Sequence, residues 1–193
     1  INEVGDIMYD AAIYYSSIIE NNVDLLNKFN LVSKNYHLVT IHRAENVDDK
    51  FILAEILDGF AKSKCQLVWP IHPRTLNRIS NFELKIPSNV MVIPPVGYLD
   101  MILLEKNAIS IITDSGGVQK EAFFHGIPCI TIRNETEWVE LVELGVNKLI
   151  KIDAKEIAKE IVEFKPCFDT SNIYGDGNTG SKIVKKLDTL FNI

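Results

Sequence analysis

Six short apolar runs, His37–Ile41, Gln66–Ile71, Val90–Pro94, Ala108–Thr113, Pro128–Ile132 and Lys148–Ile152, alternate along this chain with segments of helical period. Most of the runs are too short for helices, and their near-continuous apolar character suits strands covered on both faces. Between them, Asp49–Ala61 carries Leu53, Ala54, Leu57, Phe60 and Ala61 on one face, and Ala154, Ile157, Ala158 and Ile161 repeat the pattern. Strands alternating with helices predict a mainly parallel sheet, and right-handed crossovers make it a doubly wound, Rossmann-like α/β fold. A helix over Val4–Glu20, ended by Asn21-Asn22, and a short one around Leu25, Leu26 and Phe29 precede the first strand. A C-terminal helix over 178–193 places Ile183, Val184, Leu187, Leu190 and Phe191 on one side. A length of 193 residues suits one domain, 1–193, with a full core.

Composition removes several classes of function. Hydrophobic residues make up 47% and charged residues 24%, the balance of a folded globular chain. The net charge of −6, with no Lys/Arg stripe, argues against a nucleic-acid surface. No apolar run approaches the ~20 residues of a membrane span, and the first residues lack a basic stretch followed by an apolar one, so a cytoplasmic protein without a membrane partner is expected. Cys65, Cys129 and Cys167 are odd in number and lack metal-type spacing, which reads as free thiols. The chain starts without Met and with a helical pattern under way by Glu3, which is expected of a fragment or excised domain.

Residues 111–128 concentrate the chemistry. A strand stops at Asp114-Ser115-Gly116-Gly117 and passes straight into a short helix, with Gly126 placed to stop it and Pro128 behind. Two glycines leave no side chain between an anion and the free N–H groups of a helix start, where the macrodipole also favours negative charge. The same residues also suit a tight strand-to-helix turn with no ligand.

In such a sheet the ligand crevice lies beyond the carboxyl ends of the strands. There the chain has His42-Arg43-Ala44-Glu45-Asn46, His72-Pro73-Arg74, Pro95-Val96-Gly97-Tyr98, the Ser-Gly-Gly turn, and Arg133-Asn134-Glu135-Thr136-Glu137. Taken singly, His42 and His72 suit satisfied hydrogen-bonders, Arg43 and Glu45 a surface ion pair, Asn46 or Asp48 a helix cap, Glu121 a carboxylate near a helix start, and Tyr98 a core aromatic. Taken together they suit a phosphorylated, hydroxyl-rich ligand, with Ser115, Gly116 and Gly117 on a pyrophosphate and Glu121 on a sugar diol. No Gly-x-Gly-x-x-Gly follows the first strand and no P-loop is present.

Thr40-Ile41-His42-Arg43-Ala44-Glu45-Asn46, Pro70-Ile71-His72-Pro73-Arg74, Asp114 to Ala122, Arg133-Asn134-Glu135-Thr136-Glu137 and Tyr174-Gly175-Asp176-Gly177-Asn178, in this order, resemble the UDP-N-acetylglucosamine 2-epimerase family over essentially the whole chain. The resemblance implies one half of a glycosyltransferase-B-type fold, the C-terminal, nucleotide-binding half. The N-terminal half, with its acidic residues, is absent, so the isolated chain should bind nucleotide without turnover. It implies interconversion of UDP-GlcNAc and UDP-ManNAc by elimination and re-addition of UDP, with UDP and a UDP-amino sugar as ligands, no metal or other cofactor, and a homodimer at full length. Carried over by motif, His42 is the catalytic histidine; Arg43, Glu45 and His72 hold ligand or phosphate, Ser115, Gly116 and Gly117 the diphosphate, Glu121 the ribose, Tyr98 the uracil, and Arg133 and Glu137 line the sugar-facing rim.

Two stretches depart from the usual family pattern. Gln119-Lys120-Glu121 stands where Gln-Glu-Glu is typical, and Thr136-Glu137-Trp138-Val139 where Thr-Glu-Arg-Pro is typical. This form is similar to a subgroup that includes 2-epimerases of UDP-2,3-diacetamido-2,3-dideoxyglucuronate, which leaves that sugar as an alternative. The His-Arg-x-Glu-Asn form favours the non-hydrolysing reaction. A glycosyltransferase donor domain and a non-catalytic nucleotide sensor remain the other readings.

Overall fold

The computed structural model describes residues 1–19, 24–168 and 172–191. In chain order the elements are α1 (Ile7–Ile19), α2 (Asp24–Lys28), β1 (His37–Thr40), α3 (Ala44–Val47), α4 (Lys50–Ser63), β2 (Leu67–Pro70), α5 (Pro73–Asn81), β3 (Val90–Ile93), α6 (Tyr98–Asn107), β4 (Ile111–Thr113), α7 (Gly116–Phe124), β5 (Cys129–Ile132), α8 (Val139–Glu143), β6 (Asn147–Ile150), α9 (Ala154–Glu163) and α10 (Thr179–Phe191). Every apolar run of the sequence overlaps one strand, and β6 begins one residue before its run. The Asn21-Asn22 stop expected for the first helix lies outside the described residues.

All six strands pair in parallel, in the order β3-β2-β1-β4-β5-β6. The chain winds outward from β1 through β2 to β3, then returns to the other side of β1 and winds outward again. The sheet is therefore doubly wound, and its order reverses between β1 and β4. Alternate side chains feed two cores. Val39 and Ile41 enter one with Leu53, Phe60 and Trp69, whereas Leu38 enters the other with Ile102, Ile111 and Ala122. The strands are buried on both sides, which is why they read as near-continuous apolar runs.

Local chemistry fixes the helix ends. The Asp49 carboxylate caps α4 by accepting from the N–H groups of Phe51 (2.8 Å) and Ile52 (3.0 Å), and Asp153 caps α9 by accepting from Glu156 N–H (2.8 Å). At the end of α7, Gly126 (φ +66°) donates its N–H to the Phe123 carbonyl and Ile127 donates to that of Ala122. This double closure needs the left-handed residue that the sequence places there.

The C-terminal helix forms where predicted, yet its apolar stripe is not covered: Ile183, Val184, Leu187, Leu190 and Phe191 are all exposed. It is held mainly at its start, where the Asp10 carboxylate of α1 accepts from the N–H groups of Thr179 (3.0 Å) and Gly180 (2.8 Å).

Candidate functional site

The reversal between β1 and β4 opens the sheet edge at Ile41–Arg43 and Asp114–Ser115, and Asp114 joins the two sides. Its carboxylate is wholly buried and accepts from the backbone N–H groups of His42 (3.1 Å) and Arg43 (2.9 Å) and from the Asn46 side-chain amide (3.0 Å). The same Asn46 nitrogen donates to the Ile132 carbonyl (3.1 Å), which brings the end of β5 into the joint. Asn46 thus caps no helix, and Asp48 pairs with Arg74 and Arg78 of α5. One layer below, the hydroxyls of the register partners Thr40 and Thr113 meet at 2.6 Å, and Thr113 Oγ1 accepts from Ser115 N–H (2.9 Å).

His42 leaves this joint with its side chain 48% exposed and Nδ1 3.5 Å from Asp114 Oδ1. His42 and His72 line one hollow of about 260 Å³ with Ile41, Pro70, Pro95, Val96, Met101 and Val118. Its walls are mostly apolar, with two imidazoles at its edge, a combination suited to a flat heterocycle with polar atoms on its rim. His72 also caps α5: Nδ1 accepts from Arg74 N–H (3.2 Å), which leaves Nε2 as the ring's free nitrogen.

Ser115 is the N-cap of α7 but makes no side-chain cap bond. Its hydroxyl and the N–H groups of the first turn, which by helix geometry lack intrahelical partners, are therefore open to an anion. Val118 of that turn lines the histidine hollow, so the two are continuous. One turn further on, the Tyr98 hydroxyl of α6 meets the Glu121 carboxylate. Burial pushes the Glu121 carboxyl above its ordinary range, against the hydrogen bond from Tyr98; burial and the nearby Glu121 charge push Tyr98 up to about 12.

On the other flank, Arg133 at the end of β5 holds Glu137 in a bidentate pair at 2.7 and 3.0 Å. The guanidinium holds the Glu137 carboxyl down at about 2. Arg43 lies 3.8 Å from Glu137 and 3.9 Å from Glu45, so Glu45 joins the site by its pairing with Arg43. Glu137 also borders Gly116, where an added Cβ would come within 3.5 Å of its carboxylate. His42, Arg43, His72, Tyr98, Ser115, Gly116, Gly117, Glu121, Arg133 and Glu137 thus all lie along the carboxyl edge of the sheet. They form three adjoining groups: the histidine hollow, the Tyr98–Glu121 pair and the Arg43–Glu137–Arg133 chain.

Sequence reasoning gave no role to Asp114, only a helix cap to Asn46, and none to the amide network behind the 133–138 loop. There Gln119 Oε1 accepts from the Thr136 hydroxyl (2.6 Å) and the Asn147 amide (2.9 Å), while Asn147 Oδ1 accepts from Thr131 (2.8 Å). An acidic residue ending an apolar strand is the signal that would have singled out Asp114, because a carboxylate there is buried and must find donors.

A profile of the family described as UDP-N-acetylglucosamine 2-epimerase matches residues 1–188. A UDP-N-acetylglucosamine 2-epimerase homolog of Methanococcus maripaludis is 44% identical over 98% of this chain and 55% of its own length. The UDP-2,3-diacetamido-2,3-dideoxy-D-glucuronate 2-epimerase of Pseudomonas aeruginosa is 39% identical over 98% of the chain and 53% of its own. A Methanocaldococcus jannaschii UDP-GlcNAc 2-epimerase, solved in complex with UDP-GlcNAc and UDP, superposes with a TM-score of 0.85 at 38% identity over 98% of this chain and 55% of that one. The chain spans about half the length of the curated relatives it matches.

Proposed function

The chain belongs to the UDP-N-acetylglucosamine 2-epimerase family, and from that premise we propose that it is the nucleotide-sugar-holding half of a non-hydrolysing UDP-GlcNAc 2-epimerase. The observation that carries this reading is the Asp114 clasp, which fixes His42 and Arg43 beside the uncapped start of α7. In that arrangement a diphosphate lies on Ser115, Gly116 and Gly117, the heterocycle enters the hollow between His42 and His72 toward Tyr98, and Glu121 takes the ribose hydroxyls.

The proposed reaction removes the proton at C2 and breaks the bond from C1 to the UDP oxygen, leaving a glycal. UDP then re-forms the C1–O bond and a proton returns to C2 on the opposite face. The difficult charge is that of the departing diphosphate, and fixed donors at a helix start with cations at its flank lower its energy without reorganisation. His42 stands at that flank as the acid–base group of this half, and the Arg43–Glu137–Arg133 chain as the sugar-facing rim. Proton abstraction at C2 is assigned to the half of the relatives' length that this chain does not span, in a cytoplasmic homodimer. The diacetamido-glucuronate epimerase of P. aeruginosa supports the second sugar as an alternative substrate, on the same site.

Calorimetric titration of the chain with UDP tests the site. Saturable binding is expected at concentrations below millimolar, and Ser115→Trp, which fills the anion turn, should abolish it. A folded wild-type chain that ignores UDP, or a Ser115→Trp chain that binds it equally well, would sink the assignment. For the full-length protein, deuterium should enter C2 of the UDP-sugar in heavy water, whereas a glycosyltransferase would leave C2 unlabelled.

A further inference from the structure

Lys120 and Trp138, one departure from each of the two family motifs, touch one another. Lys120 sits on α7 one residue before Glu121, with its side chain only 6% exposed. Its ammonium pairs with the Asp6 carboxylate and lies 4.4 Å from the centre of the Trp138 ring and 5.2 Å from that of Tyr174. A cation removed from water needs compensation, and here one carboxylate and two aromatic faces supply it.

Two connections run outward from that nitrogen. Toward the site, the Trp138 indole N–H donates to the Gly116 carbonyl (2.8 Å). That carbonyl shares a rigid peptide plane with the Gly117 N–H, so fixing one aims the other. Both residues lie in the first turn of α7, so the indole bond adds a second donor to a carbonyl that the helix already engages, at a plane no side chain braces. Away from the site, Asp6 donates its backbone N–H to the Tyr174 carbonyl (2.9 Å), and the Tyr174 hydroxyl donates to Glu140 of α8 (2.6 Å). Here two distant segments cross so closely that a Cβ on Gly175 would lie 3.0 Å from Gly5 Cα.

We propose that Lys120 is a positioning residue: it holds Trp138 on the Gly116 carbonyl, so aiming the Gly117 N–H at the anion, and couples anion binding to the Gly5–Asp6/Tyr174–Gly175 crossing. The inference rests on the reading that a diphosphate binds at Ser115–Gly117. With Glu and Arg at these two places, the same coupling would need different partners.

Residue-resolved hydrogen exchange with and without UDP, beside calorimetry, tests it. In the wild-type chain UDP should slow exchange of the Asp6 amide several-fold. Lys120→Met should bind UDP about tenfold more weakly, as expected for loss of one aimed donor, and UDP should no longer slow that amide. Lys120→Arg should restore both effects. Trp138→Phe, which keeps an aromatic face and removes the indole donor, should weaken UDP like Lys120→Met, and it decides the matter should Lys120→Met not fold. Wild-type affinity together with UDP-dependent protection of Asp6 in Lys120→Met, or in Trp138→Phe, would overturn the proposal. UDP binding that leaves the wild-type Asp6 amide untouched overturns the coupling alone; no binding at all overturns the site reading and the coupling with it.

Discussion

Asp114 carries more of the site's geometry than any residue that would touch a ligand. Its carboxylate satisfies two backbone donors and one amide in a place closed to water, so removing it strands both backbone N–H groups and leaves the Asn46 amide with the Ile132 carbonyl alone. Asp114→Ala is expected to cost about 3 kcal/mol or more in urea unfolding and to weaken UDP by over tenfold, because His42 and Arg43 lose their anchor. Asp114→Asn, with one acceptor oxygen left, should fall between. A cost below about 1 kcal/mol for the alanine variant would contradict the account. The clustering of the candidate side chains at one sheet edge was legible in the sequence because they follow strand ends, where any doubly wound sheet exposes its crevice. Their supports were not. Asp114, Asn46 and Gln119 find partners 17 to 86 positions away, and no local pattern encodes such a meeting.

At the scale of elements, the strands were readable to within three residues because burial on both faces leaves an unbroken apolar signature. Periodicity also located α10, but it says nothing of what covers an apolar face. Turns are a second place where local chemistry speaks clearly. At the crossing, Gly175 has φ +95°, and a side chain there would meet Gly5. Gly175→Ala should therefore lower stability by about 2 kcal/mol, from backbone strain and the forced contact together. Gly145→Ala is the control, since Gly145 has φ +72° and open space around its Cβ position, and about 1 kcal/mol is expected from strain alone. Equal midpoints for the two variants in thermal unfolding would show that the close approach contributes nothing.

For the molecule as a whole, buried ionisable groups set a pH window. Burial lowers His37, which bonds Ser110 at 2.8 Å, and His125 to about 4 from an ordinary 6.5. The unfolded chain takes up those protons first, so stability present above pH 6.5 should fall as the pH drops toward 4, by on the order of 2–3 kcal/mol per histidine. Glu105 bounds the other side. Its carboxyl, wholly buried with neither oxygen hydrogen-bonded and His125 Nε2 3.6 Å away, is pushed well above 4.5 by burial and by the charge of Glu121. Here the folded state holds the proton longer, so stability declines as the pH rises from 4.5 toward the raised value. Denaturant midpoints across pH 4–9 should describe a dome, and Glu105→Gln should flatten its alkaline limb while leaving the acid limb in place. An alkaline limb unchanged in that variant would assign the decline elsewhere. The winding order followed from the alternation of strands and helices, whereas this window did not, because burial of a lone Glu or His is invisible until α6 and α7 are side by side. Ser115, the N-cap of α7 and first residue of the proposed anion turn, is the next residue in the chain after the carboxylate that grips the amides of His42 and Arg43. The two banks of the cleft therefore share a single keystone. On the proposed reading, a lineage can retailor the rim for a new sugar, but it cannot shift the histidine without dragging the Ser115–Gly117 turn along.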